Sequence, residues 1–148
     1  MRISFDIDDT LIFYDVEKRS KCHHRLLNGE RLRDGTVELM KKLQKENELW
    51  LYTSSLRSEF VLTACFLLKG IKIQRVVNHA EHLEILKERN ITERCTKLPS
   101  YFHIDLHVDN EEGVKMQGDR FGYNVLIIDP DDEKWTDKVL KRVKKLGQ

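Results

Sequence analysis

The residues best equipped for chemistry lie within the first dozen positions, where Phe5-Asp6-Ile7-Asp8-Asp9-Thr10-Leu11 sets three carboxylates beside a threonine. Successive side chains of an extended chain alternate, so Asp6 and Asp8 point the same way past Ile7. Carboxylates that converge repel one another and need a cation, hydrogen bonds or a proton to compensate; a solvated acidic turn is the plainer reading of the same residues. A converging pair can supply a nucleophile, a general acid or a metal ligand. Thr53-Ser54-Ser55 offers hydroxyls and backbone amides that suit either an anion or an ordinary helix cap. Lys97 stands in a loop before Leu98-Pro99, and Asp109 stands where the alternation of His103-Ile104-Asp105-Leu106-His107-Val108 stops, followed by Asn110 and Glu111. Asp105, on the face shared with His103 and His107, reads as a strand-start residue.

Positioning these groups requires a sheet. Short apolar runs alternate with amphipathic ones, the pattern of strand-helix-strand units in an α/β fold with a mostly parallel sheet. Strands are predicted over 3–7, 48–52, 71–77, 104–108 and 123–128, and helices over 34–46, 58–69, 79–89 and 132–146. Asp34 or Thr36 is the capping candidate of the first helix, and Gly70 is placed to end the second in a left-handed conformation. The stretch 13–33 has no clear period and reads as a surface excursion just after the first strand. In open α/β sheets ligands bind outside the carboxyl ends of the strands, where Asp6, Asp8, Thr53 and Asp109 fall.

Composition narrows the function classes. A length of 148 residues predicts one domain over 1–148, and 26 basic against 25 acidic residues leave a net charge of +1, with no field to attract nucleic acid or an anionic membrane. No run approaches the roughly 20 apolar residues that span a bilayer, and the first residues lack a secretory apolar stretch. Cys22, Cys65 and Cys95 are odd in number and show no paired spacing, which predicts a reduced, cytoplasmic setting. Cys22, His23 and His24 lack a second ligand pair at zinc spacing.

Taken in order, Asp6 and Asp8, then Thr53, then Lys97, then Asp109 resemble the four motifs of the haloacid dehalogenase (HAD) superfamily of phosphohydrolases over nearly the whole chain. The resemblance implies a three-layer, Rossmann-like sandwich around a five-stranded sheet. It implies Asp6 as nucleophile forming an aspartyl phosphate, Asp8 as acid and then base, and Thr53, Ser54, Lys97 and Asp9 around the phosphoryl group. It also implies Mg2+ held by the Asp6 carboxylate, the Asp8 carbonyl and the Asp109 carboxylate, with Asn110 or Glu111 as further candidates. Family members that displace halide lack an Asp at the position of Asp8, so phosphate monoesters are the expected substrates. Neither cap insertion is large: 13–33 suffices only for a small flap. An open site fits a bulky or macromolecular phosphorylated substrate, closure by a second subunit of a homo-oligomer, or a small ester held loosely.

Two rivals differ in testable ways. A receiver domain places its phosphoacceptor at the end of the third strand, which here ends Val76-Val77-Asn78-His79. A non-catalytic phospho-ligand-binding or scaffold protein of the same fold would have no need of every catalytic position being filled.

Overall fold

A computed structural model describes residues 1–13 and 23–148. Part of the expected flap, 14–22, and Cys22 with it, lies outside the described residues. Five strands, β1 (Arg2–Phe5), β2 (Glu48–Tyr52), β3 (Ile73–Val77), β4 (Leu106–Asp109) and β5 (Val125–Ile127), pair in parallel in the order β3-β2-β1-β4-β5. Among the described residues five helices connect or follow them: α1 (Thr36–Leu43), α2 (Glu59–Leu67), α3 (His79–Glu88), α4 (Glu112–Phe121) and α5 (Trp135–Leu146), with a 3-10 turn at Pro99–Phe102. The expected α/β class and parallel sheet are therefore present.

Strand alternation divides the core. Leu49 and Leu51 face one apolar layer with Ile3, Phe5, Met40, Leu62, Phe66, Trp135 and Val139, drawing in α1, α2 and α5. Trp50 and Tyr52 face the other with Ile85, Leu98 and Phe102, drawing in α3 and the 3-10 turn. Both faces of a parallel sheet are covered in this way, which is why its strands read as nearly continuous apolar runs.

Several boundaries differ from the sequence expectations. β1 ends at Phe5 rather than Ile7: the Asp6 amide still donates to Val108 O at 2.9 Å, but the amides of Leu11 and Ile12 fold back on Ile7 O, and Asp9 takes a φ of 57°. α1 is capped by neither Asp34 nor Thr36. Its N-cap is Gly35 at φ 81°, and the buried Thr36 Oγ1 has no hydrogen-bond partner. A Cβ at Gly35 would come within 2.8 Å of Thr136, so close contact with α5 took precedence over side-chain capping. Gly70 follows α2 at φ 75°, as expected. Residues 24–32 form a small hairpin, with Leu26 N donating to Glu30 O and Leu32 N to His24 O. Among the described residues no helix is long and apolar enough to cross a membrane.

Helix α4 has no counterpart among the sequence expectations, because Glu-Gly-Val-Lys-Met-Gln-Gly-Asp-Arg-Phe contains two glycines and few apolar residues. Only Val114 and Gly118 are buried on it. A Cβ at Gly118 would lie 2.7 Å from Tyr123 O and 2.8 Å from Val125 Cγ2, so this glycine lets α4 approach β5. Gly118→Ala should therefore lower unfolding stability by about 1–3 kcal/mol through overpacking, despite alanine's better helix propensity. Urea denaturation checks this; unchanged or raised stability would show that α4 packs less closely.

Candidate active site

The order of the strands creates a switch point: the chain leaves β1 for β2 and β3 on one side and returns to β4 and β5 on the other. Crevices at such points are where open α/β sheets bind ligands. Asp6 follows the central strand β1, Asp109 ends its neighbour β4, and Thr53 follows β2. All three side chains sit at the carboxyl edge of the sheet.

Lys97 joins two of them. Its Nζ donates to Asp6 Oδ1 at 2.7 Å and to Asp109 Oδ2 at 2.9 Å, with all three side chains buried. Burial alone would neutralise an ammonium, but the charges of Asp6 and Asp109 outweigh it and hold the Lys97 pKa above its usual value. For Asp6 burial prevails: together with the nearby charges of Asp109 and Asp8 it outweighs Lys97, and the carboxyl is pushed up to about 6. Burial opposes ionisation of Asp109 too, yet the hydrogen bond from His107, the charges around it and the Glu111 amide hold it well below the carboxylate range.

His107 supplies that hydrogen bond from within the sheet. Burial depresses its pKa, so the ring is neutral. An ionised Asp109 only accepts, hence Nε2–H donates to Asp109 Oδ2 at 2.9 Å, and Nδ1 accepts from the Ser4 hydroxyl at 2.7 Å. Asp109 Oδ1 accepts from the Glu111 amide at 2.9 Å, and the Thr10 hydroxyl lies 3.5 Å from Asp6 Oδ2 and 3.2 Å from Asn110 Oδ1. Asn110 and Glu111 thus touch the site through Thr10 and through the main chain.

Lys97 lies outside regular structure and is held by a buried polar network. The Tyr52 hydroxyl accepts from the Leu98 amide at 3.0 Å and donates to His82 Nδ1 at 2.7 Å, while His82 Nε2–H donates to Cys95 O at 2.8 Å. The Cys95 thiol and the Tyr123 hydroxyl both donate to Lys97 O, and Gln117 Oε1 on α4 accepts from the Thr96 amide and, at 3.4 Å, from the Lys97 amide. Tyr52, His82 and Gln117 carried no sequence signal beyond helical or strand periodicity.

The other expected residues are placed nearby in different ways. Asp8 Oδ2 accepts from Arg57 Nη1 at 2.8 Å, and Arg57 Nη2 donates to Glu30 Oε1 at 2.9 Å, so this guanidinium ties the hairpin to the loop after β1. Burial disfavours the Arg57 charge, but bonds to Asp8 and Glu30 prevail and raise its pKa. Arg57 also donates to Ser55 Oγ at 3.0 Å. Thr53 Oγ1 is 2.9 Å from Ser55 Oγ and accepts from the Ser55 amide, an ST turn, whereas Ser54 is exposed. The true N-cap of α2 is Ser58, so Thr53 and Ser54 are not used as the cap. Asp9 sits half-exposed at the left-handed turn. Asp105 binds the Arg2 amide at the start of β4, away from the site, as its strand-start reading predicted. Arg57 belongs to no motif in the sequence, and its proximity to Thr53 is the one signal that points to it.

The donor set suits a hard cation. The Asp6 and Asp109 carboxylates and the Asp8 carbonyl would offer such an ion oxygen donors alone. Two ionised carboxylates against one ammonium and a neutral imidazole leave one surplus negative charge in a buried place, which favours a cation there. Among the described residues no group of three His, Cys, Asp or Glu side chains forms a metal cage.

Because Lys97 is the counter-charge of both acids, Lys97→Met should lower unfolding stability by about 3–5 kcal/mol in metal-free buffer at pH 7, leaving two carboxylates unpaired. Asp6→Asn should instead be neutral or stabilising above pH 6, since the folded state disfavours the ionised form of Asp6. Urea denaturation at pH 7 decides; a greater loss in Asp6→Asn than in Lys97→Met would contradict this electrostatic assignment.

Neither a protein-family model nor a curated protein matches the sequence. Among solved structures, one described as a predicted HAD-like family hydrolase from Porphyromonas gingivalis matches with a TM-score of 0.55 and 12% identity, covering 97% of this chain and 97% of that one. The near-complete coverage of both chains leaves no large cap in either unmatched. Architecture, strand order and this match agree that the chain has the HAD-like fold.

Proposed function

We propose that the chain is a magnesium-dependent phosphatase that hydrolyses phosphate monoesters, of small or macromolecular substrates, through an aspartyl phosphate on Asp6. The observation that carries this reading is the buried Asp6–Lys97–Asp109 arrangement at the switch point of the sheet. Buried charge of this kind adds little net stability and is retained where chemistry uses it.

Asp6 is the nucleophile. Its Oδ1 is fixed by Lys97, while Oδ2 has, among the described residues, only the long Thr10 contact and attacks phosphorus as the bond to the leaving oxygen breaks. Asp8 gives its proton to that oxygen, then takes one from the water that attacks phosphorus and releases Asp6. Lys97 offsets the charge on Asp6 and, with Thr53 and Ser54, binds the phosphoryl oxygens. Mg2+, when bound by Asp6, Asp109 and the Asp8 carbonyl, supplies neutralisation of the phosphoryl charge. His107 keeps Asp109 ionised and oriented from behind. Arg57 is a positioning residue: it holds the Asp8 carboxylate and links it to Glu30 of the hairpin.

Wild-type protein should hydrolyse p-nitrophenyl phosphate with Mg2+, lose activity with EDTA and recover it on adding Mg2+, and Asp6→Asn should abolish turnover. A wild type inactive with every divalent metal tried, yet able to bind phosphate esters, would favour a non-catalytic phospho-ligand protein instead. Asp8→Asn should cost about 10²–10⁴ in kcat with alkyl phosphates and much less with p-nitrophenyl phosphate, whose leaving group needs little protonation. Equal losses on both substrates would remove Asp8 from the acid role.

A further inference from the structure

We propose that the outer face of α2, continued by Leu27 and Leu56, is the interface of a homodimer whose other half is a second copy of this chain. Helix α2 reads Glu-Phe-Val-Leu-Thr-Ala-Cys-Phe-Leu and, apart from Glu59 and Thr63, is apolar on its inner and outer sides alike. Its inner side, Leu62, Cys65 and Phe66, is buried in the core. Its outer side is not: Phe60 is 81% exposed, Leu67 64% and Leu68 78%, joined by Leu56 at 73% and Leu27 at 67%. The Leu27 amide donates to Cys65 Sγ at 3.3 Å, which makes the hairpin and α2 one continuous surface. A helix apolar on every side is normally enclosed on every side.

Size and charge together point to a second copy. With Val61 included, the exposed side chains present apolar area of the order of the roughly 800 Å² per partner that a standard interface buries, more than a monomer usually leaves open. Between Ser58 and Lys69 the only charged residues are Glu59 and Lys69, and both are turned to their own chain: Glu59 Oε1 accepts from the Val76 amide, and Lys69 Nζ donates to Cys65 O. Along α2, the described residues therefore present no charge pattern with which to recognise an acidic or basic partner. A two-fold interface must be self-complementary, and a neutral apolar helix face meets that condition without like charges opposing across the axis. Leu56 lies between Ser55 and Arg57, so the dimer contact borders the mouth of the candidate active site.

Sedimentation equilibrium from low to high micromolar concentration tests this, with flotation on neutral and anionic lipid vesicles in parallel. The wild type should reach twice the 17.6 kDa chain mass, and Phe60→Glu and Leu68→Glu should each sediment as single chains with unchanged circular dichroism. Phe60→Ala, which adds no charge and removes no core contact, should weaken the dimer about tenfold. A wild type that stays single at all concentrations, one that floats with vesicles as a single chain, or a dimer that survives all three substitutions would overturn the proposal.

Discussion

One ammonium group between two buried carboxylates sets the terms for the rest of the molecule. Lys97 reaches Asp6 and Asp109 from a loop, and each of the three charges would be costly at that depth without the others. Even together they do not cancel, because His107 is neutral and both acids face one cation. Burial, helped by the charges of Asp109 and Asp8, raises the Asp6 pKa, whereas Asp109, held by His107 and the Glu111 amide, stays ionised. Two carboxylates in one site are thereby driven apart in acidity, the usual sign of divided roles.

Holding Lys97 in place explains features that otherwise look unrelated. Tyr52, at the end of β2, meets the loop through the Leu98 amide and His82; Gln117 and Tyr123 reach it from α4 and the turn beyond. Helix α4 can deliver Gln117 only because Gly118 lets it lie close to Tyr123 and Val125. Buried networks of this sort are stable when every member is satisfied, and here each ring nitrogen and hydroxyl of Tyr52, His82 and His107 has a partner. On the opposite flank Arg33, buried over Phe13 and Trp135, donates to the carbonyls of Asp129 and Asp132 and closes the loop after β1 against α5.

What could be read from the sequence followed from period and position. Strand β2 falls on its predicted residues because Leu-Trp-Leu-Tyr is apolar on both faces, and Asp6, Thr53 and Asp109 fall at strand ends because apolar alternation stops there. Helix α4 escaped because its burial rests on one valine and one glycine, too little to set a period. The cap of α1 differs from the sequence expectation because tight packing of Gly35 on Thr136 is a tertiary fact. Arg57, His82 and Gln117 escaped for the same reason: each acts through contacts between segments distant in sequence. The outer face of α2 was visible only as helical apolar positions, since exposure is decided by what packs around a helix.

The chemistry proposed for the site rests on Asp6 as a phosphoryl acceptor completed by Lys97 and Asp109. A crystal structure grown with Mg2+ and beryllium fluoride, which imitates a phosphoryl group on a carboxylate, tests it most directly. The expected result is beryllium bonded to an Asp6 oxygen, fluorides contacted by Thr53 and Lys97 Nζ, and the cation between Asp6 and Asp109. Fluoride bound elsewhere, or an Asp6 that keeps its Lys97 contact and takes up no beryllium at saturating concentration, would contradict it.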